Sequence, residues 1–172
     1  MTESTVESFV LEDDGTFPNN SLPVILYHQA IPLDWHDPAR SIEERFVENG
    51  WSGLWRNGIF DFHHYHATAH EVLGCAWGTV QVQLGGPGGR SVSLHAGDVV
   101  VLPAGTAHRN LGHSDDYQIV GAYPPGQSPD MCYGNPGERP DAERQIDAVS
   151  LPESDPVLGQ HGPLMEQWKT DR

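Results

Sequence analysis

Cysteine is scarce in this chain. The two present, Cys75 and Cys132, stand far apart and show no paired spacing, so they read as reduced thiols, Cys75 buried, and a disulfide framework is excluded. Basic residues are few as well, nine lysines and arginines against 24 aspartates and glutamates, which leaves a net charge of −15. Such a chain repels phosphate backbones and anionic lipid, because binding there needs cations that displace counterions. Neither nucleic acid nor a membrane is therefore an expected partner. No run of about eighteen apolar residues occurs, and Met1 to Ser4 form neither a basic nor an apolar leader. A cytoplasmic protein with a small-molecule substrate or ligand is expected.

What is abundant is turn material. Glycine (19) and proline (14) make up about a fifth of the 172 residues, above ordinary usage but short of low-complexity composition. The length fits one domain, 1–172, able to bury a core without staples. The first twenty residues are polar, and Asn19 and Asn20 mark a turn before Leu22 to Tyr27, which reads as an edge strand. An unpaired apolar edge motivates a homodimer. Asp37 and Pro38 form a capping and first-turn pair, Ser41 and Glu44 a second capping box, and Gly50 a stop, which predicts one helix over 38–49.

From Trp51 to Tyr123 the period changes to two. Phe60, Phe62, His64 and His66 share one predicted strand face, with the two phenylalanines expected to fill the barrel below the histidines. Val80, Val82 and Leu84 alternate before the Gly85 to Gly89 turn, and Val92 and Leu94 after it. Val99 to Leu102 is an unbroken apolar run that suits a strand buried on both faces, and Tyr117 to Tyr123 adds another strand. The expected fold is thus an all-β antiparallel barrel: core about 51–123, a strand and helix over 20–50, and a proline-rich tail over 124–172 with at most one helix, near Asp141 to Val149.

Four of the ten histidines, His63, His64, His66 and His70, fall within eight residues. Their frame is specific: Gly58, five residues, His64, one residue, His66, four residues, Glu71, six residues, Gly78. Downstream come Gly97, five residues, Pro103, one residue, Gly105, two residues, His108. Histidines at i and i+2 on a strand point the same way and can converge on one ion. Imidazole with one carboxylate suits a divalent transition metal, and the absence of an oxygen-rich cage argues against calcium.

These nine spaced positions resemble the two sequence motifs of the cupin superfamily. The runs His64 to Gly74 and Gly121 to Gln127 resemble, within it, the uncharacterised single-domain bacterial YjlB-like group. The resemblance implies a double-stranded β-helix, or jelly-roll barrel, with one or two short peripheral helices. It implies one divalent metal (Fe, Mn, Ni, Zn or Co) held by His64, His66, Glu71 and His108. The asparagine that usually ends the second motif is Gly112 here, with Asn110 nearby, a departure at the pocket wall. Length excludes two tandem barrels.

Strict alternation from His66 would put His70 on the metal face and turn Glu71 away. The four residues Ala67 to His70, however, have the length of a hairpin connection, which would free Glu71 to begin the next strand facing inward. Glu71 is the expected fourth ligand, and His70 is given a neighbouring, proton-transfer role as the candidate catalytic residue. Three histidines and a carboxylate leave a six-coordinate ion two open positions. By analogy with other cupins these imply an oxidoreductase of dioxygenase type. A metal-dependent isomerase or decarboxylase, and a non-catalytic small-ligand or metal-binding module, are the alternatives.

Overall fold

A computed structural model describes residues 5–169. Within that range the strands form two antiparallel sheets. The larger runs in the order β1 (Thr5–Leu11), β2 (Asn20–His28), β7 (Val99–Leu102), β4 (Glu71–Trp77), β9 (Gln118–Tyr123), β3 (Ser52–Asn57). The smaller runs β6 (Arg90–His95), β5 (Thr79–Leu84), β8 (His108–His113). This is the all-β jelly-roll arrangement that the resemblance implies.

Alternation along each strand sorts side chains into two cores. Val100 and Leu102 of β7 point between the sheets, joining Leu26, Leu73, Cys75, Val82, Leu94 and Ile119. Val99 and Val101 point the other way, into a cluster with Tyr27, Val72 and Val120. Helix α1 (Pro38–Glu48) covers that outer face. The Asp37 side chain accepts from the Arg40 N–H at 3.3 Å, and Ala39, Ile42 and Phe46 form the buried stripe. The helix lies directly on the backbone of β4: a β-carbon at Gly74 would come within 2.7 Å of Ile42 Cγ2 and 3.1 Å of Phe46 Cζ. β7 is accordingly buried on both faces, as its unbroken apolar run predicts.

Three expectations need correction. Leu22 to Tyr27 is not an edge, because β1 pairs with β2 from Thr5↔His28 onward and is itself the outer strand. Its polar and apolar residues are mixed (TVESFVL), which hid it among polar neighbours. Phe60 to His66 is not a continuous strand; its ladder pairing is limited to the isolated bridges His64↔His108 and Tyr65↔Cys132. Phe60 and Phe62 consequently stay half exposed, at 50% and 40%, stacked on each other with ring centroids 5.0 Å apart, and do not fill the barrel. The chain beyond residue 123 carries more helix than expected: a 3-10 turn at Pro136–Glu138, α2 (Asp141–Ala148) and α3 (Pro163–Gln167). Leu164 and Trp168 bury against the large sheet, and Trp168 Nε1 donates to the Pro23 carbonyl at 2.8 Å. No helix among the described residues is long and apolar enough to cross a membrane.

Candidate metal centre

His64, His66 and His108 converge on one point, with one ligand nitrogen from each lying within 4.8 Å of the others. His64 and His108 sit opposite each other because their main chains exchange hydrogen bonds: His64 N–H donates to the His108 carbonyl at 3.2 Å, and His108 N–H to the His64 carbonyl at 2.9 Å. The His66 carbonyl accepts from Gly105 N–H at 2.7 Å, so the first and second motifs are stitched together at the site.

Each ring is oriented by the same device. Nδ1 of His64 donates to the Phe62 carbonyl at 3.0 Å, that of His66 to the Asp130 carbonyl at 2.6 Å, and that of His108 to the Thr106 carbonyl at 3.0 Å. A carbonyl can only accept, so the proton sits on Nδ1 in all three rings, and Nε2 is left to face the common point with its lone pair. This is the tautomer that a metal ion requires.

Glu71 stands outside that group of three but beside two of its members. Its Oε1 lies 3.3 Å from His108 Nε2 and 3.5 Å from His66 Nε2. The reason is alternation counted within β4: Glu71, Leu73 and Cys75 share the inward face, while Val72, Gly74 and Ala76 face α1 and its surroundings. Counting across from His66 fails because Ala67 to His70 is no hairpin; it carries the chain from a bridge with β8 of the small sheet into the large sheet.

His70 follows the outward parity and is not brought to the cluster. Its Nδ1 accepts from Ala104 N–H at 2.9 Å, which leaves the ring proton on Nε2, and the ring packs against Trp168 at 4.8 Å. It does not line the cavity above the histidines. The proton-transfer role expected of it therefore has no access to a bound ligand.

The electrostatics follow from burial. Burial, reinforced by the adjacent His108 ring, pushes His64 down to about 3. For Glu71 burial would raise the pKa, but the imidazoles of His66 and His108 outweigh it and hold the carboxyl well below the usual carboxylate range. Burial likewise opposes charging His66, yet the Glu71 carboxylate and the Asp130 carbonyl overcome it and shift that ring upward. A buried carboxylate here demands positive charge from its imidazole side, and a divalent ion supplies it more fully than one proton.

Three neighbours escaped the sequence reading. Asp130 sits in a loop without periodicity, so nothing in the sequence marks it. Its Oδ1 accepts from Ala67 N–H at 2.7 Å, Thr68 N–H at 3.2 Å and Thr68 Oγ1 at 3.2 Å, which fixes the carbonyl that orients His66. Trp55 and Tyr123 line the cavity, with Trp55 Nε1 donating to the Tyr123 hydroxyl at 2.9 Å. Burial, together with the charge and hydrogen bonding of Glu71, pushes that phenol well above its usual range. The indole lies flat where β9 has no side chain: a β-carbon at Gly121 would fall 2.1 Å from Trp55 Cε2. Tyr123 was legible in principle, being in phase with Ile119. Asn110, the displaced asparagine, is buried and accepts from Gly112 N–H at 2.8 Å through Oδ1, outside the cavity wall.

The cluster forms the floor of a cavity of about 390 Å³ whose walls include Trp55, Ile59, Phe60, Leu73 and Met131. Such a volume accommodates a small organic molecule.

The chain is 38% identical over 168 residues to the uncharacterized protein YjlB of Bacillus subtilis (strain 168), covering 96% of this chain and 98% of that one. No family model matches. Similar solved structures include acireductone dioxygenase from Bacillus anthracis with a cadmium ion in its active centre (18% identity, 74% of this chain and 82% of that one, TM-score 0.38). Another is procruciferin, an 11S globulin from Brassica napus (12% identity, 81% and 39%, TM-score 0.41). A third is a DUF861 family protein from Thermotoga maritima (23% identity, 49% and 86%, TM-score 0.32).

Proposed function

The chain belongs to the YjlB-like cupins, and on that premise we propose that it is a small-molecule oxidoreductase of dioxygenase type. In this reading one divalent transition metal is held by His64, His66, Glu71 and His108. The observation that carries the reading is the set of three Nδ1–H groups tied to main-chain carbonyls, which leaves three Nε2 lone pairs converging at the floor of an open cavity, with a buried carboxylate 3.3 Å and 3.5 Å from two of them. Without a cation that arrangement concentrates lone pairs and negative charge in a dry place, at a cost of several kcal/mol. The donor set suits Fe, Mn, Co, Ni or Zn.

A bound ion would supply open coordination positions for a chelating oxygen ligand, such as an enol, diketone or hydroxy acid, and for dioxygen. The chain's own residues do the rest. The main-chain carbonyls hold the imidazoles, Trp55 Nε1 holds the Tyr123 hydroxyl, and the apolar wall excludes water from the bound ligand.

The test is metal content of protein purified from its native host, followed by oxygen uptake with chelating diketones and hydroxy acids. Stoichiometric metal and ligand-dependent oxygen consumption are expected. Stoichiometric metal without oxygen uptake refutes the dioxygenase reading. A metal-dependent isomerase or decarboxylase is the second reading, favoured by one observation: Tyr123, whose hydroxyl accepts from Trp55 Nε1, lines the same cavity as Glu71 and carries a proton where His70 does not reach.

A homodimer also belongs to this proposal, now through β1, whose Val6 and Val10 are exposed on an outer strand. A monomer by light scattering at micromolar concentration refutes it.

A further inference from the structure

The wall of the cavity lacks any cationic side chain among the described residues. This follows from where the few cations are. The single lysine of the chain, Lys169, is exposed beyond α3. Arg45 and Arg109 donate to the carbonyls of Val157 and Asp61, and five other arginines pair with carboxylates elsewhere on the protein. Above the histidines most of the wall is apolar, formed by Trp55, Ile59, Phe60, Leu73 and Met131, with Asn57, Tyr123 and Asp130 as its polar members. Outside the mouth, Phe62 stacks on Phe60 and meets Tyr133 at 5.8 Å, extending an aromatic surface outward.

The charge balance points the same way. The charged residues of the wall are both acidic: Glu71, and Asp130, whose carboxylate is turned to Ala67 N–H, Thr68 and Cys132 Sγ but stays in the wall as a negative charge. A ligand that brings its own anionic substituent, besides the oxygen atoms that chelate, finds no counter-charge and has Asp130 against it. A flat apolar substituent finds instead indole, phenyl and aliphatic surface.

We propose that the site selects chelating oxygen ligands with an uncharged, apolar or aromatic body, and discriminates against dicarboxylates and phosphorylated compounds. Specificity lies in the missing cation, with Phe60 and Met131 as the residues that set it. This inference rests on the metal reading above.

Two ligands with one chelating head separate the effects: benzoylacetone, and its analogue with a carboxylate on the ring. Their affinities are measured by calorimetry on the metal-loaded protein, with metal content determined before and after. Benzoylacetone is expected to bind about tenfold or more tightly. In M131R, which places a cation on the partly exposed wall, the preference should shrink to less than about threefold. Equal or tighter binding of the carboxylate by the unmodified protein overturns the proposal, as does an M131R preference unchanged from it. A protein that takes up no metal overturns the metal reading and this one with it; a fully loaded protein that favours the carboxylate overturns this one alone.

Discussion

Asp130→Ala is the perturbation that most directly separates a designed metal cradle from a chance gathering of histidines. The Asp130 carboxylate accepts from Ala67 N–H, Thr68 N–H and Thr68 Oγ1, and the same residue's carbonyl accepts from His66 Nδ1 at 2.6 Å. Thr68 is partly exposed, so its groups can turn to water. Ala67 is fully buried, and its N–H would be left without an acceptor. That orphan costs about 1–3 kcal/mol, and the weakened neighbours bring the total to about 2–4 kcal/mol. Freed from its anchor, the loop no longer fixes the His66 ring, and loss of such an orienting partner lowers metal affinity about 10- to 100-fold. Urea unfolding of the metal-free protein reads the first quantity, and titration against a competing chelator reads the second. Asp130→Asn keeps the Oδ1 acceptor while removing the charge, so it should recover most of both. Undiminished metal affinity in Asp130→Ala refutes the orienting role. An Asn variant as impaired as the Ala variant would assign the effect to charge and not to geometry.

Three further outcomes are expected. His108→Ala should lose most bound metal by elemental analysis while its far-ultraviolet circular dichroism stays unchanged, since none of the four proposed ligands belongs to the apolar inter-sheet core; retention of full stoichiometry contradicts the four-ligand set. Glu71→Ala should lose metal, whereas His70→Ala should keep it and instead lose about 1–3 kcal/mol of stability, because Ala104 N–H would lose its buried acceptor; metal loss confined to the His70 variant would reverse the assignment. In chelator-treated protein, buried His64 stays neutral down to about 3 while the unfolded chain takes up its proton near 6.5, and His63 is shifted the same way by burial. Stability must then fall as pH drops from about 6.5 to 5, by about 1–2 kcal/mol. His66, shifted upward, contributes fully throughout that window, and Glu71, shifted downward, changes only below its ordinary value. Equal urea midpoints at pH 6.5 and 5 would refute the neutral His64.

The barrel was legible because its strands carry strong signals: the all-apolar Val99 to Leu102, the Gly85 to Gly89 hairpin, and the alternating Val80, Val82 and Leu84. Helix α1 was legible through Asp37 and Pro38. β1 was not, because an outer strand with one face toward solvent needs little apolar content. At the site, the ligand residues were marked by spacing, but their supports were not. The carbonyls that orient the rings belong to Phe62, Thr106 and Asp130, and main-chain acceptors leave no trace in residue type. Phe60 and Phe62 misled for the opposite reason. Their alternation with His64 and His66 imitates a strand, yet the segment is held by two isolated bridges, and the rings stay at the mouth.

The latch on His66 has a consequence for how the centre is made. All four proposed ligands precede residue 109, whereas the loop that aims His66 lies around residue 130 and is itself clasped by Thr68. The part that aims one ligand is thus separate from the part that carries it: lengthening or shortening the chain between residues 124 and 128 would keep all four proposed ligand residues and every strand, yet displace the carbonyl that holds His66.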